Sequence, residues 1–481
     1  MNSSKRSNPL SELFVVLTAA TLLVAGCTSA NTGSTTPPPP PQTGSSFVTG
    51  TDAPMASVVS FAVQIQSITA TDASNNTVSL ISGTPTVDFA RFNGLQTLLD
   101  MNDVAVGSYS NVSITLGSAT IGYLQTPQGG GPPQVATMPA TYANSASTFT
   151  YTATLANPIV VAQAGAPVGL HLDFDLRKSI VVDGTGAITG AVTPTFNLNG
   201  VANSDPGAYI DCFDAAVISV NQNDQSFTVQ GPHGRQFTVN VSGQTEWENN
   251  EGLGDLSSSS IVTLSGSLDR ADATIDADDV AILSQNGFWA GGLVTSVAQT
   301  APGDPATSID LYVRGLLPAT TTGLTLGQIA TVDLSGSEKY FIYWFHNPLT
   351  EFLFNSSQLL PGQHVSVGGP ASGAINASAV TVKRVVLRDW GYNGTVVANS
   401  VNTSNTTNGA SGSFQIQVNG FAGTLIPQTV TVYTGAKTEF RGGLTGLTDL
   451  PNAQNVRVVG LLLLTPNGNA VLLAHYVDEL D

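Results

Sequence analysis

The stretch Val168-Gly-Leu-His-Leu-Asp-Phe-Asp-Leu176 decides the fold class of this chain. Apolar residues fill every second position: Val168, Leu170, Leu172, Phe174 and Leu176. Successive side chains of a strand point to opposite faces, so this period predicts a strand with one buried face. The same alternation recurs at 59–65 and 112–116, with turn-forming Asn-Asn, Gly-Gly-Pro-Pro and Asp-Gly sequences between such segments. Short, well-punctuated strands of this kind predict an antiparallel β-sandwich over residues 47–205.

Several short motifs follow one another in this region. They are Thr51-Asp52-Ala53-Pro54 before the strand at Val58 to Phe61, Val87-Asp88-Phe89, Gly107-Ser108-Tyr109, and Leu172 to Asp175 with Ser179 to Val181. Together they resemble the bacterial family catalogued as domain of unknown function 4382, over most of residues 47–200. The resemblance implies an exported β-sandwich and no activity, since none is established for the family. The Gly-x-Tyr turn is also similar to prealbumin-type sandwiches, some of which bind sugars.

The rest of the chain repeats. A glycine ends an alternating strand at Gly266, Gly368 and Gly460, and a closing strand follows each of them at 280–283, 380–382 and 471–473. Residues 211–285, 287–389 and 391–480 are therefore predicted to be three copies of one small β-module, each large enough for its own core.

Each copy resembles the small β-barrel family catalogued as domain of unknown function 5666, again without known activity. The predicted fold class is all-β: a prealbumin-like antiparallel sandwich followed by three small β-barrel-like modules. Repeated modules indicate a spacer or a binding array.

Residues 1–26 have the pattern of a secretory signal peptide. Lys5 and Arg6 precede an uncharged apolar run at 13–26, shorter than the roughly 20 residues that span a bilayer. The run leads into Leu23-Val24-Ala25-Gly26-Cys27, which resembles a bacterial lipobox. The resemblance implies cleavage before Cys27 and lipidation of its thiol. Thr28, where inner-membrane lipoproteins carry Asp, favours the outer membrane by the same resemblance. An ordinary secretory signal with a chance cysteine is the alternative.

Residues 27–46 combine Thr, Ser, Gly and Asn with five consecutive prolines, Pro37 to Pro41. Such a stretch cannot build a core, and prolines hold it extended, which is typical of a tether. We therefore expect a lipid-anchored protein of the cell envelope, either periplasmic or exposed at the surface.

The composition excludes one class of partner. The chain has a net charge of −18, and charged residues make up only 10% of it, against roughly 25% in typical globular chains. Nucleic-acid affinity comes largely from Lys and Arg on phosphates, so we expect no nucleic-acid partner. With Cys27 lipidated, Cys212 has no partner for an intramolecular disulfide and is expected to be a small buried side chain.

Two acidic groups are candidate metal sites. His171, Asp173 and Asp175 occupy alternate positions of one strand and share a face, which could ligate a metal or face solvent. Asp276, Asp278 and Asp279 belong to the densest acidic run, and oxygen-rich loops can hold calcium. The spacing is not that of an EF-hand, and the other two repeats lack the acidic residues. We expect no cofactor, with calcium as the alternative.

Two further groups are candidate ligand or catalytic sites. Glu246 and Glu248 could act as the paired carboxylates of a glycosidase, although structural roles are expected. An aromatic cluster stands out in an aromatic-poor chain: Tyr340, Phe341, Tyr343, Trp344, Phe345, Phe352 and Phe354. Such faces serve sugar and protein binding, so Tyr343 and Trp344 are the ligand-binding candidates, the alternative being the core of the middle module.

Signatures of known catalytic classes are missing from the sequence. It contains no His-Glu-x-x-His, no Gly-x-Ser-x-Gly, no phosphate-binding glycine loop and no Cys-x-x-Cys. We therefore expect a non-enzymatic envelope lipoprotein that binds a polysaccharide or another envelope protein, or acts as a spacer. The alternatives are a hydrolase of envelope polysaccharide that uses carboxylates of the first domain, and a calcium-stabilised adhesin.

Overall fold

Two facing sheets build the first part of the structure around an apolar core. The computed structural model describes residues 43–480 except for 54–57, 93–94, 126–133, 162–167, 185–186, 202–207, 232–233, 235, 270–273, 286, 302, 319–322, 344–352, 371–379, 405–409, 420–424, 427–428, 451–453 and 466–467. The strands of this part are β1 (Thr43–Ala53), β2 (Val58–Asp72), β3 (Thr77–Ser79), β4 (Thr86–Asp88), β5 (Thr97–Ala105), β6 (Gly107–Gln125), β7 (Gln134–Pro139), β8 (Thr141–Tyr142), β9 (Phe149–Val161), β10 (Val168–Asp175), β11 (Ile180–Val182), β12 (Ile188–Val192) and β13 (Phe196–Val201). A one-turn helix, α1 (Leu176–Ser179), follows β10, and short 3-10 turns cover Phe89–Phe92 and Ala143–Ser145.

One sheet has the strand order β13-β10-β1-β5, and the other has the order β3-β2-β6-β7, with β4 on β2 and β9 on β6. Strands β11, β12 and β8 form a small third sheet. The core lies between the two large sheets, where Phe174 stacks on Phe196 with ring centroids 4.6 Å apart. Its ring also meets Phe61 and Phe89 edge-on, at 5.2 and 5.1 Å. The predicted sandwich is confirmed.

Strand β1 differs from the sequence expectation in two ways. It begins at Thr43, so its first four residues come from the stretch 27–46 that was interpreted as a tether. It also pairs in parallel with β10, whereas the other pairs of the two large sheets are antiparallel. The physical reason is that most side chains of β1 are small and polar. Backbone hydrogen bonds to β10 on one edge and to β5 on the other hold the strand in the sheet. Alternation of side chains is the same for parallel and antiparallel strands, so it could not show the direction.

Three barrels of one topology follow in the described residues. Barrel 1 contains β14 (Tyr209–Asn221), β15 (Ser226–Gln230), β16 (Gln236–Asn240), β17 (Glu246–Trp247), β18 (Ile261–Asp269) and β19 (Thr274–Ser284). Barrel 2 contains β20 (Phe288–Ala298), β21 (Ser308–Leu317), β22 (Ile329–Asp333), β23 (Lys339–Ile342), β24 (His364–Gly369), β25 (Val380–Thr381) and β26 (Arg384–Arg388). Barrel 3 contains β27 (Trp390–Val396), β28 (Gly412–Val418), β29 (Thr429–Arg441), β30 (Asn455–Leu464) and β31 (Ala470–Glu479).

In each barrel the last strand closes the ring by pairing in parallel with the third strand and antiparallel with the strand before it. These pairs are β16–β19 and β18–β19 in barrel 1, and β29–β31 and β30–β31 in barrel 3. In barrel 2 the closing strand is interrupted at 382–383, and its halves β25 and β26 pair with β22 and β24. The all-β prediction and the barrel-like repeats are thus confirmed.

Glycines at equivalent positions of the repeats have a steric role. A Cβ atom on Gly266 or Gly460 would overlap a backbone carbonyl oxygen of the closing strand, that of Asp276 or of Leu473. Gly368 is different, because a Cβ there would lie 2.6 Å from the carbonyl oxygen of Leu283 in barrel 1. The first two glycines admit the closing strand, and the third lets barrel 2 approach barrel 1.

The cores of the barrels are not separate. The chain from Pro41 to Asp481 clusters into one compact unit. Phe47 of β1 is fully buried in the core of barrel 1, and the core of barrel 2 includes Leu461 and Leu473 of barrel 3. Apolar side chains on the outer faces of the strands therefore join neighbouring modules. None of the helices in the described residues is long and apolar enough to cross a membrane.

Candidate functional site

The row His171, Asp173 and Asp175 lies on one face of β10, as the alternation predicts, but its members make separate contacts. The Nδ1 atom of His171 is 3.2 Å from Oγ1 of Thr49, and burial lowers the pKa of this imidazole to about 4. Asp175 caps α1 by accepting the Lys178 N–H at 2.9 Å and pairs with its ammonium group. Burial raises the pKa of Asp173, and the positive charge of Arg457 in barrel 3 opposes that effect.

The acidic run of β19 is divided between two environments. Asp276 and Asp278 are exposed, and Asp276 accepts a hydrogen bond from Asn240 at 3.0 Å. Asp279 is buried, and burial together with the charges of Glu246 and Asp278 raises its pKa to about 7. A register shift in the β18–β19 ladder separates the two environments. Within the part of the chain that the structure describes, no three His, Cys, Asp or Glu side chains are arranged to hold a metal ion.

The aromatic candidates are only partly described. Tyr343 is buried, its hydroxyl is 3.0 Å from Oγ of Ser265 in barrel 1, and its ring lies 4.9 Å from the guanidinium of Arg388. It therefore joins barrels 1 and 2 from within. Trp344 and Cys27 lie outside the described residues, and so does the side chain of Cys212.

A cavity of about 550 Å³ lies where the sandwich meets barrels 1 and 2. Its walls are mostly apolar and include Val87, Leu98, Phe213, Trp289, Leu316 and Leu317. The charged lining residues are Asp88, Arg91, Asp214 and Arg314. We call this space the junction cavity. Its size and its apolar walls with a few convergent polar groups are those of small-molecule binding sites, which span roughly 300–1,000 Å³.

The first charged group on the cavity wall is an aspartate shared by two arginines. Asp214 of β14 forms an ion pair with Arg91, which the 3-10 turn at Phe89–Phe92 presents. Its other oxygen accepts from Arg388 at 3.1 Å. Arg388 also donates to the hydroxyls of Ser366 and Thr263, each at 2.9 Å. One carboxylate thus serves guanidinium groups from the sandwich and from barrel 2.

The second group is Arg314 with Asp88. Ile309, Leu311 and Val313 of β21 pack in the core of barrel 2, so the alternate residue Arg314 faces the junction. Its side chain is 1% exposed, Nε is 3.5 Å from Oδ2 of Asp88, and the guanidinium lies 4.3 Å from the Trp390 ring.

Among the described residues, neither Nη1 nor Nη2 of Arg314 has a hydrogen-bond partner. Burial lowers the pKa of Arg314 against the opposing effect of Asp88, but a guanidinium stays protonated at neutral pH. Asp88 itself accepts the Phe61 N–H through Oδ1 at 2.7 Å. Arg314 is therefore a buried cation whose donors are largely unmatched.

His364 beside this group stays neutral. Its ring centroid is 5.0 Å from that of Trp390. Burial, with the positive charges of Arg314, Arg388 and Arg91, holds the pKa of His364 well below its usual value. Three arginines thus surround the carboxylates of Asp88 and Asp214; Arg91 and Arg314 line the cavity and Arg388 does not.

Sequence reasoning missed these residues. The signal was an arginine inside an otherwise apolar strand, as in the stretch Leu311-Tyr-Val-Arg-Gly-Leu-Leu317. Charged residues are rarely fully buried unless paired, so such a position indicates either a buried ion pair or a site.

Family comparisons match two parts of the chain. Residues 43–189 match the family described as Domain of unknown function (DUF4382). Residues 216–281 match the family described as Domain of unknown function (DUF5666). The resemblances predicted for the sandwich and for the first repeat are confirmed over these ranges. Neither description names an activity. A search of curated proteins found no match.

Proposed function

We propose that this protein is a non-enzymatic binding protein of the bacterial cell envelope, lipid-anchored through Cys27, that takes its ligand into the junction cavity. The junction cavity itself carries the proposal, because sites of this kind form preferentially where domains meet. The lipobox-like sequence at 23–27 supports the anchor, with the outer membrane as the favoured location.

The positions of the acidic residues favour binding over hydrolysis. The carboxylate of Asp175 is engaged as a helix cap and in an ion pair, and neither Asp173 nor Asp175 lines the cavity. The carboxylates that do line it, Asp88 and Asp214, are each paired with an arginine. Asp214 is held by two guanidinium groups, and Asp88 also accepts a backbone N–H, so the oxygens of both carboxylates are already engaged.

A cavity-filling substitution tests the proposal. Ala62 lies half-buried on β2 and lines the cavity, whereas Gln66 is exposed on the same strand and does not. In the mature chain from residue 27, with Cys27→Ser, we expect the neutral dye N-phenyl-1-naphthylamine to bind with a rise in fluorescence. Ala62→Trp should abolish that rise and the control Gln66→Trp should keep it. Equal binding by both variants, or none by the parent chain, contradicts the proposal.

A second candidate ligand is a polysaccharide, which the aromatic walls of the cavity, Phe92 and Trp289, favour because sugar rings stack on aromatic faces. Binding on a glycan array that Ala62→Trp removes and Gln66→Trp retains would favour this candidate. An envelope protein as partner predicts binding that neither substitution changes.

The anchor is tested separately. Cys27→Ser should move the full-length protein from the membrane fraction to the soluble fraction, because it removes the two or three acyl chains, which bind a membrane far more firmly than one chain does. Fractionation followed by mass spectrometry of the N-terminal peptide measures this. Membrane association unchanged by the substitution contradicts the anchor.

A further inference from the structure

We infer that the junction cavity binds an amphipathic anion, a ligand with an apolar body and one carboxylate or phosphate-type head group, and that Arg314 pairs with this head group. This inference rests on the proposed function and names the ligand class of the same site.

Unmatched donors at Arg314 are the first observation. A guanidinium has five N–H donors, and within the described part of the chain the side chain of Arg314 makes one hydrogen bond, the 3.5 Å contact from Nε to Asp88. Nη1 and Nη2 have no acceptor among the described residues, although the side chain is almost fully buried. A buried charge with unmet donors is costly, and the planar fork of these two groups fits the paired oxygens of a carboxylate or phosphate.

The local charge balance is the second observation. Asp214 is shared between Arg91 and Arg388, so it cannot also neutralise Arg314. Asp88 is the remaining carboxylate on the cavity wall. The charges of the lining residues themselves balance, but Arg388, which does not line the cavity, also draws on Asp214. Among the described residues this leaves Arg314 with the 3.5 Å ion pair to Asp88, which favours an anionic head group beside Arg314.

The walls give the third observation. Leu98, Phe213 and Trp289 offer apolar surface to the part of the ligand beyond its head group. Leu326 also lines the cavity and is 62% exposed, so it extends this apolar surface to the outside. Apolar walls and a buried cation with unmatched donors together select a ligand that has an apolar body and an anionic head group.

Ligands of equal chain length with different head groups test the inference. The mature chain carrying Cys27→Ser is titrated with decanoate, decyl phosphate and 1-decanol, each displacing bound N-phenyl-1-naphthylamine. We expect at least one of the two anions to bind tenfold or more tightly than the alcohol. Arg314→Met should reduce that preference to less than threefold.

Arg384→Met is the matched control. Arg384 is a half-buried arginine that is paired with Glu251 at 2.6 Å and stacked on Phe341, and it does not line the cavity. This variant should keep the preference for anions. Equal binding of the alcohol and both anions to the parent chain, or an undiminished preference in Arg314→Met, overturns the inference.

The parent-chain comparison needs no variant, so it decides the inference even if Arg314→Met fails to fold. Failure of the neutral dye to bind the parent chain overturns the proposed function, and this inference with it. Dye binding without a preference for anions overturns the inference alone.

Discussion

The sandwich core and the junction cavity are both interior, yet they are built from opposite kinds of side chain. Phe61, Phe89, Phe174 and Phe196 fill the sandwich core, with ring centroids 4.6–5.2 Å from that of Phe174. At the junction, arginines and aspartates from three parts of the fold meet between apolar walls. Aromatic burial stabilises a fold, whereas incompletely paired buried charge opposes folding. The sandwich core is therefore optimised for packing, whereas the incompletely paired charges at the junction support a binding role there.

The largest loss of stability is expected from a substitution in the sandwich core. Phe174→Ala removes a fully buried ring that three other rings contact, so it should lower the free energy of unfolding by about 3–5 kcal/mol. Urea unfolding followed by tryptophan fluorescence measures this. The loss should be the same at pH 5 and pH 8, because no titrating group is removed. A loss below about 1 kcal/mol would mean that the core does not depend on this aromatic cluster.

A smaller, pH-dependent effect is expected for the buried acid of barrel 1. The pKa of Asp279 is raised to about 7 from 3.8, so the folded state binds its proton more tightly than the unfolded state does. Stability from this group is full below pH 3.8 and is lost as the pH rises through about 7. Asp279→Asn should therefore stabilise the protein relative to the parent at pH 8, by about 2–4 kcal/mol, and much less at pH 4.

Melting temperatures of both proteins across this pH range test that prediction. The exposed neighbour provides the control, because Asp278→Asn should alter the pH dependence far less. If the difference in melting temperature between Asp279→Asn and the parent does not grow from pH 4 to pH 8, the buried environment assigned to Asp279 is contradicted.

The smallest effect on stability is expected at the cavity. Arg314→Met removes a buried cation with unmatched donors but also leaves Asp88 without its ion-pair partner, so the two effects oppose each other and stability should change by less than about 2 kcal/mol. Urea unfolding in the absence of ligand measures this. A loss as large as that of Phe174→Ala would show that Arg314 serves the fold rather than a ligand, and would remove the contrast between the two regions.

Local patterns predicted much of the fold. The alternation at 168–176 correctly separated Leu170, Leu172 and Phe174, which face the sandwich core, from His171 and Asp173, which lie half-buried on the opposite face of the strand. The repeated glycines correctly indicated three related modules, since two of them admit a closing strand that a Cβ would block. Both signals work because they are properties of one strand and its immediate neighbour.

The candidate site could not be predicted in the same way. Arg91, Asp214 and Arg388 are far apart in the sequence. No motif or regular spacing around them indicates that they meet in the folded chain. The residues that sequence reasoning selected instead, such as Tyr343 and Asp279, have chemically suggestive types but lie at contacts between modules or in separate environments. Residue type alone does not show which side chains converge.

By itself, the sequence determined that the fold is all-β, which residues of many strands face inward, and that one module recurs. The tertiary structure alone decided that β1 joins a sheet in parallel with β10, that cores continue from one barrel to the next, and which arginines line a cavity. The physical reason is the range of the interactions. A period of two follows from the geometry of a single strand, whereas strand partners, module contacts and shared ion pairs depend on segments that meet only after the chain has folded.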